Sequence, residues 1–308
     1  MADIVITEFM DEEVIARDLA GHDVLYDPKL VDKPAMLAAA LVDARALVVR
    51  NRTQVREPLL AGAPKLKVVG RLGVGLDNID VRACDQRGIA VCPATGANDV
   101  AVAEYVITAS LVLLRTAWLA TDRVIAGEWP RMALIGREMS GQRLGLIGLG
   151  AIARETAGRA RALGMKIAAF DPHLPADHPA WAGVERMELD ALLAASDVVS
   201  LHVPLTHETR SMIDARALSL MKPRAVLVNA ARGGVVDEAA LVTALREGRL
   251  GGAALDVFEA EPLDAGHGAH LAGVPNLVLT PHIAGVTEQS NVRVSSVTAA
   301  AVLRHLGA

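Results

Sequence analysis

The sequence is poor in cysteine, because its 308 residues include only Cys84 and Cys92. Two cysteines are too few to staple a secreted fold, and both lie in Ala- and Val-rich surroundings. We interpret them as reduced core residues of a cytoplasmic protein. The first residues lack a basic segment followed by an apolar stretch, so we expect no secretory signal there.

Basic residues are not in excess either, since 31 Lys and Arg stand against 36 Asp and Glu, a net charge of -5. Binding to nucleic acid or to an anionic membrane needs clustered positive charge, so neither partner is expected. The apolar stretch Val100–Leu114 contains Glu104 and is shorter than the roughly 20 residues that cross a bilayer. This stretch therefore predicts a buried helix. Because the net charge favours neither nucleic acid nor a membrane, a small-molecule partner is expected.

Clusters with metal-ligand spacing are also missing from the sequence. His173 and His178 lie in one predicted loop, without the Cys or acidic residues that would complete a site. We predict no metal.

What the sequence does contain is a regular alternation of Val- and Ile-rich strands with helical segments, the pattern of parallel sheets covered by helices. A chain of this length with 52% apolar residues predicts two α/β domains. Predicted helices of the first part include Glu12–Ala20 and Pro34–Ala44. Its predicted strands are Asp3–Thr7, Ala46–Arg50, Lys67–Arg71 and Ile89–Pro93.

A second series of strands begins at Arg143, after a helix that Asn98 or Asp99 caps. A last helix, from about Thr287 to Leu306, follows the series and is expected to return to the N-terminal domain. The predicted domains are therefore 1–97 with 285–308, and 98–284. The six strands of the second series are 144–148, 166–171, 198–202, 225–230, 253–257 and 277–281.

Glycines follow the first strand of this second series in a pattern typical of dinucleotide binding. Gly148, Gly150 and Ala153 have GxGxxG/A spacing between a strand and a helix. Gly148 permits a tight turn, and Gly150 lets the backbone approach a pyrophosphate at the helix N-terminus. The next strand ends at Asp171, where a carboxylate can accept hydrogen bonds from the ribose of NAD. Together these features predict NAD as cofactor.

Three ionisable residues follow late strands of the same series, at the sheet edge where ligands bind in open α/β sheets. They are Arg232, Glu261 and His282. Each has an ordinary structural alternative, as a surface cation, a loop carboxylate or a core histidine. Oxidation of an alcohol by hydride transfer needs a base, and a histidine beside a carboxylate suits that task.

Beyond these patterns, the sequence resembles the D-isomer-specific 2-hydroxyacid dehydrogenases over nearly its whole length. The phosphoglycerate dehydrogenase branch is the most similar that we recognise, without its C-terminal regulatory domain. The resemblance is carried by 70–80, 102–104, 148–171, 201–204, 221–223, 229–238, 252–262 and 281–285.

The family resemblance implies a Rossmann NAD-binding domain inserted in a flavodoxin-like substrate domain, both doubly wound parallel sheets, with the active site between them. It implies that His282 is the general acid and base, Glu261 its partner, and Arg232 the group that binds the substrate carboxylate. Expected cofactor contacts are Gly148, Gly150, Ala151, Ile152, Asp171, His202, Val203, Pro204, Ala230, Asp256 and Gly285. For His202–Pro204 and Asp256, an ordinary strand-end role is an equal alternative.

The substrate is expected to be a 2-hydroxy or 2-keto acid. A Gly-rich loop, Gly73, Val74 and Gly75, would present N–H groups to it, although a plain turn is the alternative. Arg50 and Arg71 lie at the carboxyl ends of predicted strands of the first domain and would bind a second anionic group, as in 3-phosphoglycerate or sulfolactate. Arg52 is interpreted as a solvated surface charge.

Two other functions stay open. Hydroxypyruvate or glyoxylate reductase is an alternative activity on the same fold, and an NAD-sensing interaction protein is a non-catalytic one. Formate dehydrogenases of this family characteristically have Gln where this chain has Glu261, which argues against that activity. The apolar helix after Asn98 suggests a homodimer, because such a helix must be buried somewhere.

Overall fold

The computed structural model describes residues 2–307. It contains twelve strands, β1 to β12 in chain order. They are β1 Ile4–Ile6, β2 Val24–Tyr26, β3 Ala46–Val49, β4 Val68–Arg71, β5 Ala90–Pro93, β6 Arg143–Ile147, β7 Lys166–Phe170, β8 Glu185–Arg186, β9 Val198–Leu201, β10 Val226–Asn229, β11 Gly252–Leu255 and β12 Leu277–Leu279.

The α-helices, α1 to α11, fill the connections between the strands. They are α1 Glu12–Asp18, α2 Pro34–Leu41, α3 Glu57–Ala61, α4 Val81–Gln86, α5 Asp99–Arg115, α6 Thr121–Ile125, α7 Ala151–Ala162, α8 Leu189–Ala195, α9 Ala215–Leu220, α10 Glu238–Arg246 and α11 Glu288–Leu306.

The chain divides into two compact units, one of residues 1–98 with 286–308 and one of residues 99–285. We call them unit 1 and unit 2. Unit 1 has a five-stranded parallel sheet of order β2-β1-β3-β4-β5, the flavodoxin-like order. Its strand order reverses between β1 and β3, so a ligand crevice is expected beyond the carboxyl ends of those two strands.

Unit 2 has a seven-stranded sheet of order β12-β11-β10-β9-β6-β7-β8. Its strands pair in parallel throughout, and the first six in chain order have the Rossmann arrangement. The order reverses between β6 and β9, which places the expected ligand crevice beyond Ile147 and Leu201. Both sheets confirm the predicted α/β fold class.

Each sheet is buried on both faces, because successive side chains of a strand point to opposite sides and nearly all of them are apolar. In β6, Leu146 packs in one core cluster and Ile147 in the other. In β3, Leu47 and Val48 divide in the same way. Two strands escaped the sequence analysis, the edge strands β2 and β8, because β2 is short and only partly buried and β8 consists of two exposed charged residues.

Helix α11 belongs to unit 1, as expected for the last helix. Its residues Val294, Ala299 and Val302 pack in the same cluster as Ile4 and Ile6 of β1. Helix α5, by contrast, is buried inside unit 2, where Val106 and Leu113 join the core against the sheet. Unit 2 itself therefore covers this face of α5, so the helix is no argument for a homodimer, which stays a prediction. None of the helices in the described part of the chain has the length and apolarity that a bilayer crossing requires.

Candidate active site

The glycine loop between β6 and α7 has the shape that a dinucleotide pyrophosphate needs. Gly148 has φ of +89°, and a Cβ added there would lie 2.7 Å from the carbonyl oxygen of His202, so only glycine fits. Helix α7 begins after Gly150, and no side chain caps its first N–H groups. The N–H groups of Ala151 and Ile152 thus lie at a helix start that suits an anion.

Asp171 lies directly after β7, beside the glycine loop. Its Oδ2 accepts a hydrogen bond from the Leu149 N–H at 2.9 Å. Its Oδ1 accepts from the N–H groups of His173 and Leu174 at 3.0 and 3.2 Å. Because three backbone donors hold the carboxylate, its position relative to the loop is fixed before any ribose binds.

Strands β9 and β10 bring two further predicted segments to the same edge of the unit 2 sheet. His202 follows β9, and its N–H donates to the carbonyl of Ile147 at 2.8 Å. Burial lowers the pKa of His202 to about 4, so its imidazole is neutral at physiological pH and cannot serve as a cationic contact. Val203 lies close to Gly148, and Pro204 is exposed. Ala230 follows β10 in a turn that the Asn229 side chain holds by bonds to Ala231 and Arg232.

His282 and Glu261 form a direct pair, with 2.7 Å between Nδ1 of the imidazole and Oε2 of the carboxylate. The other carboxylate oxygen accepts from the Phe258 N–H at 2.9 Å. Burial alone would raise the pKa of Glu261, but these hydrogen bonds and the charge of Arg232 outweigh it and hold the pKa below its usual range. The carboxylate is therefore ionised and fixes the proton of His282 on Nδ1.

This leaves Nε2 as the histidine nitrogen that can exchange a proton with a ligand. The His282 side chain is 39% exposed, so the ring is open to small molecules. Arg232 follows β10, its guanidinium donates to the Ala231 carbonyl at 2.5 Å, and its charge acts on Glu261. The structure thus brings Arg232, Glu261 and His282 into one site in unit 2, although 50 residues of sequence separate the first from the last.

Asp256 was expected to contact the cofactor directly, but its side chain is buried and hydrogen-bonded within the protein. It is 1% exposed, and its two oxygens accept from the N–H groups of Ile283 and Ala284 at 2.8 Å each. It also accepts from the Thr280 hydroxyl at 2.6 Å. Asp256 therefore fixes the loop that carries His282 and ends near Gly285.

Unit 1 places its candidate residues after β3 and β4. The Arg50 guanidinium donates to Asn291 Oδ1 at 3.0 Å and to the Phe9 carbonyl at 3.5 Å, and it lies 5.7 Å from the centre of the Phe9 ring. Burial lowers the pKa of Arg50, and the charge of Glu8 partly offsets this effect. Within residues 2–307, no carboxylate forms an ion pair with Arg50.

Glu8, which the sequence analysis missed, organises this loop. Its buried carboxylate accepts from the N–H groups of Arg50, Asn51, Arg52 and Thr53 at 2.9 to 3.0 Å. Burial would raise the pKa of Glu8, but hydrogen bonds from the N–H groups of Arg52, Thr53 and Arg50 and from the Thr53 side chain outweigh it and lower the pKa. Since Glu8 uses both oxygens on the backbone, it holds the loop in place without neutralising Arg50 by contact.

Arg71 is buried, in contrast to the expectation that it faces a ligand. It is 8% exposed and donates to the Leu72 carbonyl and to Asn51 Oδ1, both at 2.8 Å. A Cβ added to Gly73 would lie 2.0 Å from Nη1 of Arg71, so the Arg71 guanidinium packs directly against the Gly73 loop. In the described chain, the N–H groups of Val74 and Gly75 donate to no protein acceptor, which leaves them available to an anion. Arg52 is exposed and pairs with Asp32.

A sequence profile described as the NAD-binding domain of the D-isomer-specific 2-hydroxyacid dehydrogenases matches residues 107–284. That range covers more than half of the chain and contains the glycine loop, Asp171 and the His282–Glu261 pair.

The chain belongs to the D-isomer-specific 2-hydroxyacid dehydrogenase family.

Individual members of the family match all or nearly all of the chain. It is 56% identical to (S)-sulfolactate dehydrogenase of Chromohalobacter salexigens over 308 residues, which cover 100% of this chain and 99% of that protein. It is 37% identical to D-3-phosphoglycerate dehydrogenase of Synechocystis over 96% of this chain, but this match spans only 52% of that longer relative.

The structure is similar to that of D-lactate dehydrogenase from Aquifex aeolicus, which was crystallised with NAD and lactic acid. The TM-score is 0.85 with 30% identity, over 99% of this chain and 95% of that one. As a member of the family, the chain is an NAD-dependent dehydrogenase of 2-hydroxy acids, and the predicted family, fold, cofactor and enzyme class are confirmed.

Proposed function

We propose that this dehydrogenase oxidises a 2-hydroxy acid with a second anionic group, of the sulfolactate type. The observation that carries the proposal is Arg50, a half-buried cation whose contacts within residues 2–307 are neutral oxygens and an aromatic ring. A half-buried positive charge that no carboxylate of these residues contacts favours an anionic ligand. The 56% identity to a sulfolactate dehydrogenase supports a sulfonate as that group.

The S descriptor of sulfolactate agrees with a family that is specific for D-isomers. In lactate the carboxylate outranks the methyl group, whereas in sulfolactate the sulfur-bearing carbon outranks the carboxylate. The same arrangement of groups around the hydroxyl-bearing carbon is therefore R in D-lactate and S in sulfolactate. One active-site geometry can thus act on both compounds.

In the proposed reaction, His282 accepts the substrate hydroxyl proton at Nε2 as hydride leaves for NAD, and returns it in the reverse direction. Glu261 holds the ring by its 2.7 Å bond to Nδ1 and stabilises the protonated imidazole. Arg232 holds the carboxylate, because a guanidinium can form two parallel bonds to it. The N–H groups of Val74 and Gly75 are proposed as further donors to an anionic substrate, whereas the N–H of Gly73 donates to the Arg71 carbonyl at 2.8 Å.

The cofactor contacts are proposed to be the loop of Gly148 and Gly150, the N–H groups of Ala151 and Ile152, and Asp171. The bare helix start binds the pyrophosphate, and Asp171 accepts from the ribose hydroxyls. His202 to Pro204, Ala230 and Gly285 line the rest of the site. Asp256 is proposed to act through the loop that it holds.

We predict a preference for NAD over NADP of at least about tenfold in kcat/KM, because the Asp171 carboxylate would lie beside the added 2′-phosphate. The residues after it, Pro172, His173 and Leu174, provide no Arg or Lys. Steady-state kinetics in which NAD or NADP is varied at one fixed substrate concentration gives kcat/KM for each cofactor, and hence the ratio of the two values. Asp171→Asn is the control and should bring the two cofactors closer together. Equal efficiency in the wild type would contradict the placement of Asp171.

We also propose a homodimer in the cytoplasm, formed through the segment of residues 117–135. This segment exposes several large apolar side chains, which monomeric proteins rarely display together. They are Trp118, Ile125, Trp129, Met132 and Ile135. A second copy of this chain is a fitting partner, because a twofold axis lets one apolar segment cover its equivalent.

Sedimentation velocity tests the dimer, which should persist at low micromolar concentration. The variant Trp118→Asp/Trp129→Asp should sediment as a folded monomer. Arg52→Ala, with its exposed side chain in unit 1, is the matched surface control and should stay dimeric. A wild-type protein that sediments as a monomer would refute the proposal.

A further inference from the structure

The backbone of His282 adopts a conformation that must be held by its surroundings. Its φ of +53° lies in the left-handed region, which costs a non-glycine residue roughly 1 kcal/mol or more. The His282 N–H donates to the carbonyl oxygens of Asp256 and Thr280, at 2.8 and 3.0 Å. The direction of the imidazole therefore depends on how firmly the neighbouring residues fix this turn.

A hydrogen-bonded series of three side chains, Tyr105, Thr280 and Asp256, fixes the turn. The direction of its hydrogen bonds follows from which atoms can donate. The Asp256 carboxylate can only accept, so the single hydroxyl proton of Thr280 points to Asp256 Oδ1, 2.6 Å away. The Thr280 oxygen then accepts from the Tyr105 hydroxyl, also at 2.6 Å. Tyr105 thus donates to Thr280, and Thr280 donates to Asp256, so each hydroxyl proton has a fixed acceptor.

The Tyr105 end of this hydrogen-bonded series lies on a rigid element. Tyr105 belongs to α5, whose neighbouring residues Val106, Ala109 and Leu113 are buried in the core of unit 2. Burial raises the pKa of Tyr105, and the charge of Asp256 acts in the same direction, so the phenol keeps its proton and remains a donor at assay pH. The turn of His282 is thus tied to a core helix 175 residues away in sequence.

We propose that Tyr105 and Thr280 are positioning residues for His282, which set the direction of its imidazole through Asp256. The inference rests on the proposed role of His282 in proton transfer. Neither residue is required to touch the substrate or the cofactor. Removing either hydroxyl should loosen the turn and slow the chemical step, while cofactor binding at the distant glycine loop is unchanged.

The test compares Tyr105→Phe, Thr280→Val and Thr280→Ser by single-turnover NADH formation, using sulfolactate and NAD. Phe and Val remove only the hydroxyl at nearly constant shape, and each should lower the rate about 3- to 10-fold, the value of one hydrogen bond. Thr280→Ser keeps the hydroxyl and should restore most of the rate. NADH affinity should stay within about twofold in every variant. Tyr26→Phe is the matched control, because its hydroxyl bonds to the Met10 carbonyl in unit 1, and it should behave as wild type.

His282→Ala is measured beside these variants to separate two failures. If His282→Ala keeps wild-type activity, the proposed role of His282 fails. If His282→Ala is inactive while Tyr105→Phe and Thr280→Val react at the wild-type rate, the positioning inference alone is overturned. A Thr280→Ser variant as slow as Thr280→Val would also overturn it, because then the hydroxyl is not what matters.

Discussion

Replacing His282 with alanine is expected to lower kcat for a 2-hydroxy acid by about 10²- to 10⁴-fold, the range for loss of a general acid or base. In the described part of the chain, the imidazole is hydrogen-bonded through Nδ1 to Glu261, and its side chain is 39% exposed, which leaves Nε2 for a ligand. NADH affinity, measured by fluorescence titration, should change little. A variant that binds NADH normally and retains full turnover would show that the proton moves by another route.

The companion variant Glu261→Gln should change the pH dependence of turnover. The pKa of Glu261 is lowered, so its carboxylate is ionised across the working pH range and stabilises a protonated His282. Without that charge the imidazole stays unprotonated to lower pH, and oxidation needs the unprotonated form. The acid limb of kcat/KM for oxidation should therefore move to lower pH, and an unmoved limb would mean that Glu261 is not the partner.

Replacing Arg50 with alanine should raise KM for sulfolactate or 3-phosphoglycerate by about 10- to 100-fold, the value of one or two hydrogen bonds to a charged group. The loop itself should persist, because Glu8 holds it through the backbone N–H groups of residues 50–53. KM for lactate, which lacks the second anionic group, should stay nearly unchanged. Steady-state kinetics on the same variant with both kinds of substrate measures the difference.

Arg52→Ala is the matched control for this experiment, since it removes a nearby cation that is exposed and paired with Asp32. It should leave KM for every substrate close to the wild-type value. Arg50→Ala acting equally on lactate and sulfolactate would contradict the second-anion proposal. The assignment to the dehydrogenase family would be unaffected by that result.

Much of this fold could be predicted from sequence, because its signals are local. The apolar strands, Gly148, Gly150 and Asp171 each follow from residue type and short spacing. The edge strands β2 and β8 could not be found, because β2 is short and only partly buried and β8 has no apolar side chain.

The hydrogen bonds that hold the site in place could not be predicted from the sequence, because parallel strands bring together residues that are far apart in the chain. Nothing near Tyr105 points to Thr280, and nothing near Glu8 points to the loop after β3. A tyrosine hydroxyl within an apolar helix is the one signal that could have raised the question. Arg71 shows the opposite case, in which a strand-end cation supports a loop from within the core.

The most direct test of the proposed function is NADH formation by the wild-type enzyme with NAD and a panel of hydroxy acids. The panel contains (S)-sulfolactate, D-3-phosphoglycerate, D-glycerate and D-lactate, each assayed over a full concentration range. The structure predicts that the substrates with a second anionic group have the higher kcat/KM, with sulfolactate first. Higher kcat/KM for lactate or glycerate than for both dianionic substrates would contradict the proposal.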